Sequence, residues 1–177
     1  MSRRQMVFAA AALTLTAILA DTAGAQEPQT QSVSFSTRNL SGPRLGFTVV
    51  PGNTALGQKL DENNISRIIS QFGWHFEKRV VANADGPAFV IEFLPLVGAV
   101  EYGKPIVSLN LAFGIRLPDG YEFGVGPNLL FGKEVYSGLL IAAGKTLDVS
   151  GVSIPLNLAW VTSPGGARVA FMVGYAI

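Results

Sequence analysis

The chain has no cysteine, a single histidine and few charges, with 14% of its 177 residues Asp, Glu, Lys or Arg. Without cysteine there is no disulfide frame, no thiolate nucleophile and no Cys-ligated metal. Thirteen basic against twelve acidic residues give no basic excess, which sets aside nucleic acid as a partner, because phosphate recognition needs clustered Lys and Arg. The charged fraction lies well below the roughly 25% of ordinary soluble domains. Disorder is excluded by the 49% of hydrophobic residues. Long apolar runs are missing after residue 25: Glu92, Arg116 and Glu122 interrupt the candidates, so no segment reaches the roughly 20 residues of a membrane-crossing helix.

What is present begins with an export signal. Arg3 and Arg4 precede an apolar run from Met6 to Ala20, and Ala23-Gly24-Ala25 offers small residues for cleavage. Residues 1–25 are read as a signal peptide, 26–40 as a flexible N-terminal segment and 41–177 as one domain. Cleavage takes Arg3, Arg4 and Asp21 and leaves a formally neutral remainder.

From Ser41 onward, turn chemistry recurs at short intervals, at Asn83-Ala84-Asp85-Gly86, Tyr102-Gly103-Lys104, Pro118-Asp119-Gly120, Gly132-Lys133-Glu134, Ser150-Gly151 and Pro164-Gly165-Gly166. The segments between read as eight strands, at about 43–50, 67–82, 87–101, 105–117, 121–131, 137–148, 152–162 and 167–177. One long connection, Pro51 to Ser66, holds a short helix from a Thr54 cap through Leu60. An export signal, apolar composition and no crossing helix leave the closed sheet as the way to satisfy a backbone in lipid. The expected fold is therefore all-β, an eight-stranded antiparallel up-and-down β-barrel with one helix in the first loop.

Alternation decides the faces. Val169, Phe171, Val173 and Tyr175 oppose Arg168, Ala170, Met172 and Gly174; Tyr121, Phe123, Val125, Leu129 and Phe131 oppose Glu122, Gly124, Gly126 and Asn128. Bulky apolar residues share one face, and small residues, amides and charges share the other. A small membrane barrel turns the first to lipid and fills its lumen with the second. The lumen set is Arg44, His75, Glu77, Arg79, Glu92, Asn110, Arg116, Glu122, Asn128, Asn157 and Arg168. Its three glutamates are expected to pair with Arg44, Arg79, Arg116 and Arg168, since an unpaired buried ion is costly. Trp74, Tyr121, Trp160 and Tyr175 are assigned to interfacial belts. Pro95, Pro127 and Pro155 fall inside strands, where bulges are expected, and the sixth strand shows no clear polarity.

Three segments, Ser41-Gly42-Pro43-Arg44, Ser70-Gln71-Phe72-Gly73-Trp74 and Glu122-Phe123-Gly124-Val125-Gly126-Pro127-Asn128, carry a likeness across most of the exported chain. The chain resembles the small eight-stranded outer-membrane barrels of Gram-negative bacteria, and more closely a group of exported barrel-like proteins with no assigned activity. The resemblance implies outer-membrane lipid and the outer-membrane assembly machinery as partners.

No cofactor, metal or catalytic residue is assigned. His75 shares a face with Glu77, but no serine is placed beside them for a lipid-modifying reaction, and one His without Cys is no metal signature. Gly124-Val125-Gly126 lacks the Lys-Ser/Thr and helix of a phosphate loop. The expected function is a structural or interaction-mediating outer-membrane barrel of open oligomeric state. A soluble periplasmic or secreted barrel holding an apolar ligand is the first alternative, and a lipid-modifying outer-membrane enzyme the second.

Overall fold

The computed structural model describes residues 34–81 and 86–176; the expected signal peptide, residues 26–33 of the expected flexible segment, most of the Asn83–Gly86 turn and Ile177 lie outside them. Eight strands, β1 (Gly42–Val49), β2 (Ile68–Val81), β3 (Ala88–Gly98), β4 (Ile106–Arg116), β5 (Tyr121–Phe131), β6 (Val135–Val149), β7 (Val152–Thr162) and β8 (Arg168–Gly174), pair with their sequence neighbours. β1 closes on β8, so the sheet is an antiparallel up-and-down barrel. The short turns after β4 and β6 lie at one end. The long first loop, with its helix α1 (Ala55–Glu62), lies at the other.

The register sets the barrel's width. Stepping through the paired residues from Arg79 to Val90, Gly114, Gly124, Ala142, Ala159, Ala170 and Thr48 returns to β2 at Ile69, ten residues from the start. This stagger tilts the strands and leaves an interior that side chains can fill. The inward residues on that path are mostly Gly, Ala and Val, which is what a narrow lumen admits.

The prolines do not produce the expected bulges. Leu94↔Asn110 and Pro95↔Leu109 are in register, as are Pro127↔Leu139 and Pro155↔Thr146. Each proline lies beside a local gap in its other ladder. The β2–β3 pairs skip from Gly73↔Leu96 to Phe76↔Phe93, the β4–β5 pairs skip from Asn110↔Asn128 to Phe113↔Val125, and the β7–β8 pairs begin only at Leu156↔Val173. A missing N–H is harmless where no ladder bond is made, so parity survives across each one. At the β4–β5 gap the strands crowd instead. A Cβ on Gly126 would stand 2.0 Å from the Leu111 carbonyl oxygen, which reserves this position for glycine. The one register shift falls between Arg79 and Val81, at the end of β2.

β6, which alternation left unassigned, takes its polarity from its neighbours. Leu139 and Ile141 face outward, while Leu140 and Thr146 are buried. The third strand stops at Gly98 rather than 101, because Ala99 and Gly103, both left-handed at φ 59° and 63°, bracket a 3-10 turn over Val100–Tyr102.

Helix α1 forms where Thr54 accepts a bond from the Gly57 N–H at 3.0 Å, satisfying a first-turn donor. It ends at Asn63, before Asn64 at φ 54°. Leu56 and Leu60, one turn apart, are buried against Val50, Ile65, Ile69, Ala99 and Leu130, and Ile106 and Tyr136 pack against that cluster. This apolar cap stoppers one mouth of the barrel. Lys59 pairs with Glu134 and lies 5.5 Å from the Tyr136 ring centroid, and Lys104 donates to the Asn63 carbonyl at 2.6 Å. Removing the cap hydroxyl, Thr54→Ala, is expected to cost about 1 kcal/mol in equilibrium unfolding.

Candidate functional site

The lumen holds the chain's chemistry because the alternation of β2, β3, β4 and β5 points His75, Glu77, Glu92, Arg116 and Glu122 inward. At its centre is Arg116, fully buried. Its Nη1 and Nη2 donate to the two oxygens of Glu77 at 2.9 and 2.5 Å, and its Nε donates to Glu122. Glu92 Oε1 lies 3.6 Å from Nη2. One guanidinium thus carries three carboxylates, which uses the planar five-donor fork that lysine lacks.

The other arginines do not share this load, contrary to the pairing expected from parity. Arg44 Nη2 donates to the Leu40 carbonyl at 2.7 Å and approaches His75 Nδ1 at 3.2 Å, and its Nη1 reaches the Pro43 carbonyl at 3.1 Å. Arg168 opens β8 at the α1 end and bonds to Asn128 Oδ1. Asn128 in turn donates to Ser108 Oγ at 2.9 Å and to Asn110 Oδ1 at 2.7 Å, so this amide network is separate from the glutamates. Arg79 faces inward beyond the cluster and has no ion pair among the described residues. The physical reason is position along the barrel. Parity selects a face, but stagger decides which inward residues lie at the same depth.

A second element of the site was not legible in the sequence. The barrel domain begins before Ser41, because residues 34–40 fold across the mouth at the short-turn end. Phe35–Thr37 form a 3-10 turn, Phe35 N–H donates to the Pro118 carbonyl at 2.9 Å, and Phe35, Ser36 and Leu40 are buried. Carbonyls of this strap bond to the lumen charges. That of Leu40 accepts from Arg44 and faces His75 Nδ1 at 3.1 Å, and that of Arg38 accepts from Arg116 Nη1 at 3.3 Å. The available signal was the pair of apolar residues Phe35 and Leu40 in an otherwise polar stretch. Arg38 also pairs with Asp148 at 2.6 Å, with both side chains partly exposed. Arg38→Ala is expected to cost about 0–1 kcal/mol, in chemical denaturation of the purified protein.

Between strap and cap runs a cavity of about 100 Å³. Its α1 half is lined by Leu56, Leu60, Leu96 and Leu130, and its strap half by His75, Glu92, Glu122 and Arg44; Asn157 also faces it. No protein-family model, curated protein or solved structure matches the chain. Function is therefore read from the lumen and the outer face.

That outer face is apolar. Phe47, Phe72, Phe93, Phe113, Phe123, Ile141, Leu158 and Phe171 all point away from the lumen and are exposed. The charged residues at outward strand positions are Lys78 and Lys145, both toward the short-turn end. Lys145 Nζ sits 3.8 Å from the Tyr121 ring centroid and donates to the Asp119 carbonyl at 2.6 Å. Of the four aromatics expected at belts, Tyr121 and Tyr175 lie at strand ends beside the short turns, and Trp160 lies two residues from the end of β7. Trp74 sits in the middle of the long β2, against Phe76 at 6.4 Å, and not at its rim. β2 runs on to Val81, well past Trp74, which explains the difference.

Proposed function

We propose that the exported chain is a small outer-membrane barrel with a structural or interaction-mediating role, whose lumen is a stoppered interior. The observation that carries this reading is the apolar girdle. Soluble monomers rarely leave contiguous apolar patches beyond a few hundred Å² uncovered, whereas here bulky apolar residues face outward on all eight strands. The two outward lysines lie at one end, where a headgroup region would meet them and where long aliphatic stems can reach water. Short turns at the end bearing the N-terminal strap, and the longer loop opposite, match the usual asymmetry of such barrels.

A soluble barrel that holds an apolar ligand needs its bulky face inward, and burial runs the other way. The lipid-modifying alternative finds little support in the lumen. His75 faces Leu40, Arg44 and Glu92, and the strap stands between it and the rim. A pore is disfavoured by the apolar cap at one mouth and the strap at the other.

Fractionation and conductance test the proposal together. The protein is expected in the detergent-extracted outer-membrane fraction, with no single-channel currents after reconstitution into planar bilayers. Release by osmotic shock would defeat the location, and stable ohmic channels would defeat the stoppered lumen.

A further inference from the structure

We infer that the α1 half of the lumen binds a small apolar monocarboxylate, its carboxylate held by Arg168. Arg168 is 4% exposed and lines the cavity between strap and cap. It forms no ion pair among the described residues, because the three lumen glutamates all lie against Arg116. Its partners are an amide and a hydroxyl. Nη2 donates to Asn128 Oδ1, and Nη1 reaches Ser163 Oγ at 3.5 Å, the outer limit of a hydrogen bond. Two of a guanidinium's five N–H donors are occupied in this way, and the other three meet no acceptor among the described residues. An arginine keeps its charge when buried, and a buried charge without a counter-ion is costly. The partner it lacks is an anion.

The surroundings define that anion. The polar neighbours are satisfied and uncharged: Asn128 Nδ2 donates to Ser108 Oγ at 2.9 Å and to Asn110 Oδ1 at 2.7 Å, and Asn110 Nδ2 donates to the Leu94 carbonyl at 2.9 Å. This chain of amides fixes the oxygen that holds Arg168. The wall beside it is hydrocarbon. Leu56, Leu60, Leu96 and Leu130 line the same half of the cavity, and Val161, paired with Arg168, is buried with Leu140. A fork with unused donors suits the two oxygens of a carboxylate, and one negative charge balances one guanidinium. The apolar wall suits an alkyl body and disfavours phosphate, whose remaining oxygens would be buried without donors. Glu92 and Glu122 line the strap half of the same cavity and repel an anion toward Arg168. At about 100 Å³ the space is smaller than the roughly 150 Å³ that admits benzene, which limits the body to a few carbons. The site is internal and does not depend on what covers the outer face.

Butyrate is the probe. The exported chain is refolded into detergent with millimolar ¹⁴C-butyrate, so that entry past α1 is not required, and bound label is read by equilibrium dialysis against protein-free micelles. The expected result is saturable binding of one butyrate per chain. Butyramide has the same shape without the charge and is expected to displace the label at least about tenfold less well than unlabelled butyrate, the loss that goes with a charge-assisted bond. Inorganic phosphate is expected not to compete. Arg168→Gln, which keeps a donor for Asn128, is expected to bind at least about tenfold more weakly, while Arg79→Gln, on an inward arginine outside this half, binds as the parent does. Label in the folded parent no higher than in micelles alone, or displacement by butyramide or phosphate as effective as by butyrate, would overturn the inference. The competition series on the parent decides even if Arg168→Gln fails to fold.

Discussion

Arg116→Ala is expected to destabilise the protein more than any other single lumen substitution, by about 3–5 kcal/mol or more. The cost of breaking a buried ion pair comes from the partner left behind. Here three are left, because Glu77, Glu122 and Glu92 all lie against this one side chain, and the Arg38 carbonyl loses its donor as well. Arg116→Lys keeps the charge but offers a point donor in place of a fork, so it should recover only part of the loss. Equilibrium unfolding in detergent checks both. A value for Arg116→Ala within about 1 kcal/mol of the parent, the range of a solvated pair, would mean that water reaches the cluster.

The second large effect lies on the outer face. Leu158 is 55% exposed in the middle of β7, and it separates lipid from water as the surrounding medium. In a bilayer, Leu158→Arg places a cation near the hydrocarbon midplane at a cost of about 2–4 kcal/mol. The variant is then expected to lose the heat-modifiable gel migration of an assembled barrel. In water the same substitution would be nearly neutral, since surface changes usually stay within about 0.5 kcal/mol. Thr162→Arg, outward at the end of β7, is the matched control and should assemble in either case.

Much of the fold was open to reading from residues. Two signals coincide along the chain: turn chemistry at short intervals, and alternation of Phe, Val, Leu and Ile with Gly, Ala and Asn. β5 and β7 begin and end where those signals place them, and α1 follows from Thr54, Leu56 and Leu60. Three features escaped because they depend on more than one strand. The prolines were expected to break parity, but what matters is whether the neighbouring ladder makes a bond at that place, and at Pro95, Pro127 and Pro155 it is interrupted. Alternation could not orient β6, whose Leu-Leu-Ile-Ala-Ala run is nearly uniform; its partners in β5 and β7 impose the orientation.

The site was only half legible for a related reason. Alternation names only the face for Arg44, His75, Glu77, Glu92, Arg116, Glu122 and Arg168; the structure buries Arg44, His75, Arg116 and Arg168 and sets the three glutamates against Arg116. Period-two reasoning carries no information about depth, and the ten-residue stagger places Arg168 with Asn128 at the α1 end while Arg116 meets the glutamates near the strap. The approach of His75 to Glu92 is likewise hidden, because it joins residues across the gap in the β2–β3 ladder. The Leu40 and Arg38 carbonyls could not be foreseen, since backbone acceptors leave no trace in composition.

The central claim is that the outer face meets lipid, and the chain contains its own probes. Its two tryptophans, Trp74 and Trp160, both point outward, 48% and 52% exposed. Their fluorescence is measured with the protein in vesicles whose acyl chains carry bromine, and again with iodide in the aqueous phase. Strong quenching by the brominated chains with little by iodide is the result expected of a lipid-embedded girdle. Strong quenching by iodide with none by the brominated chains would place both indoles in water and contradict the membrane reading.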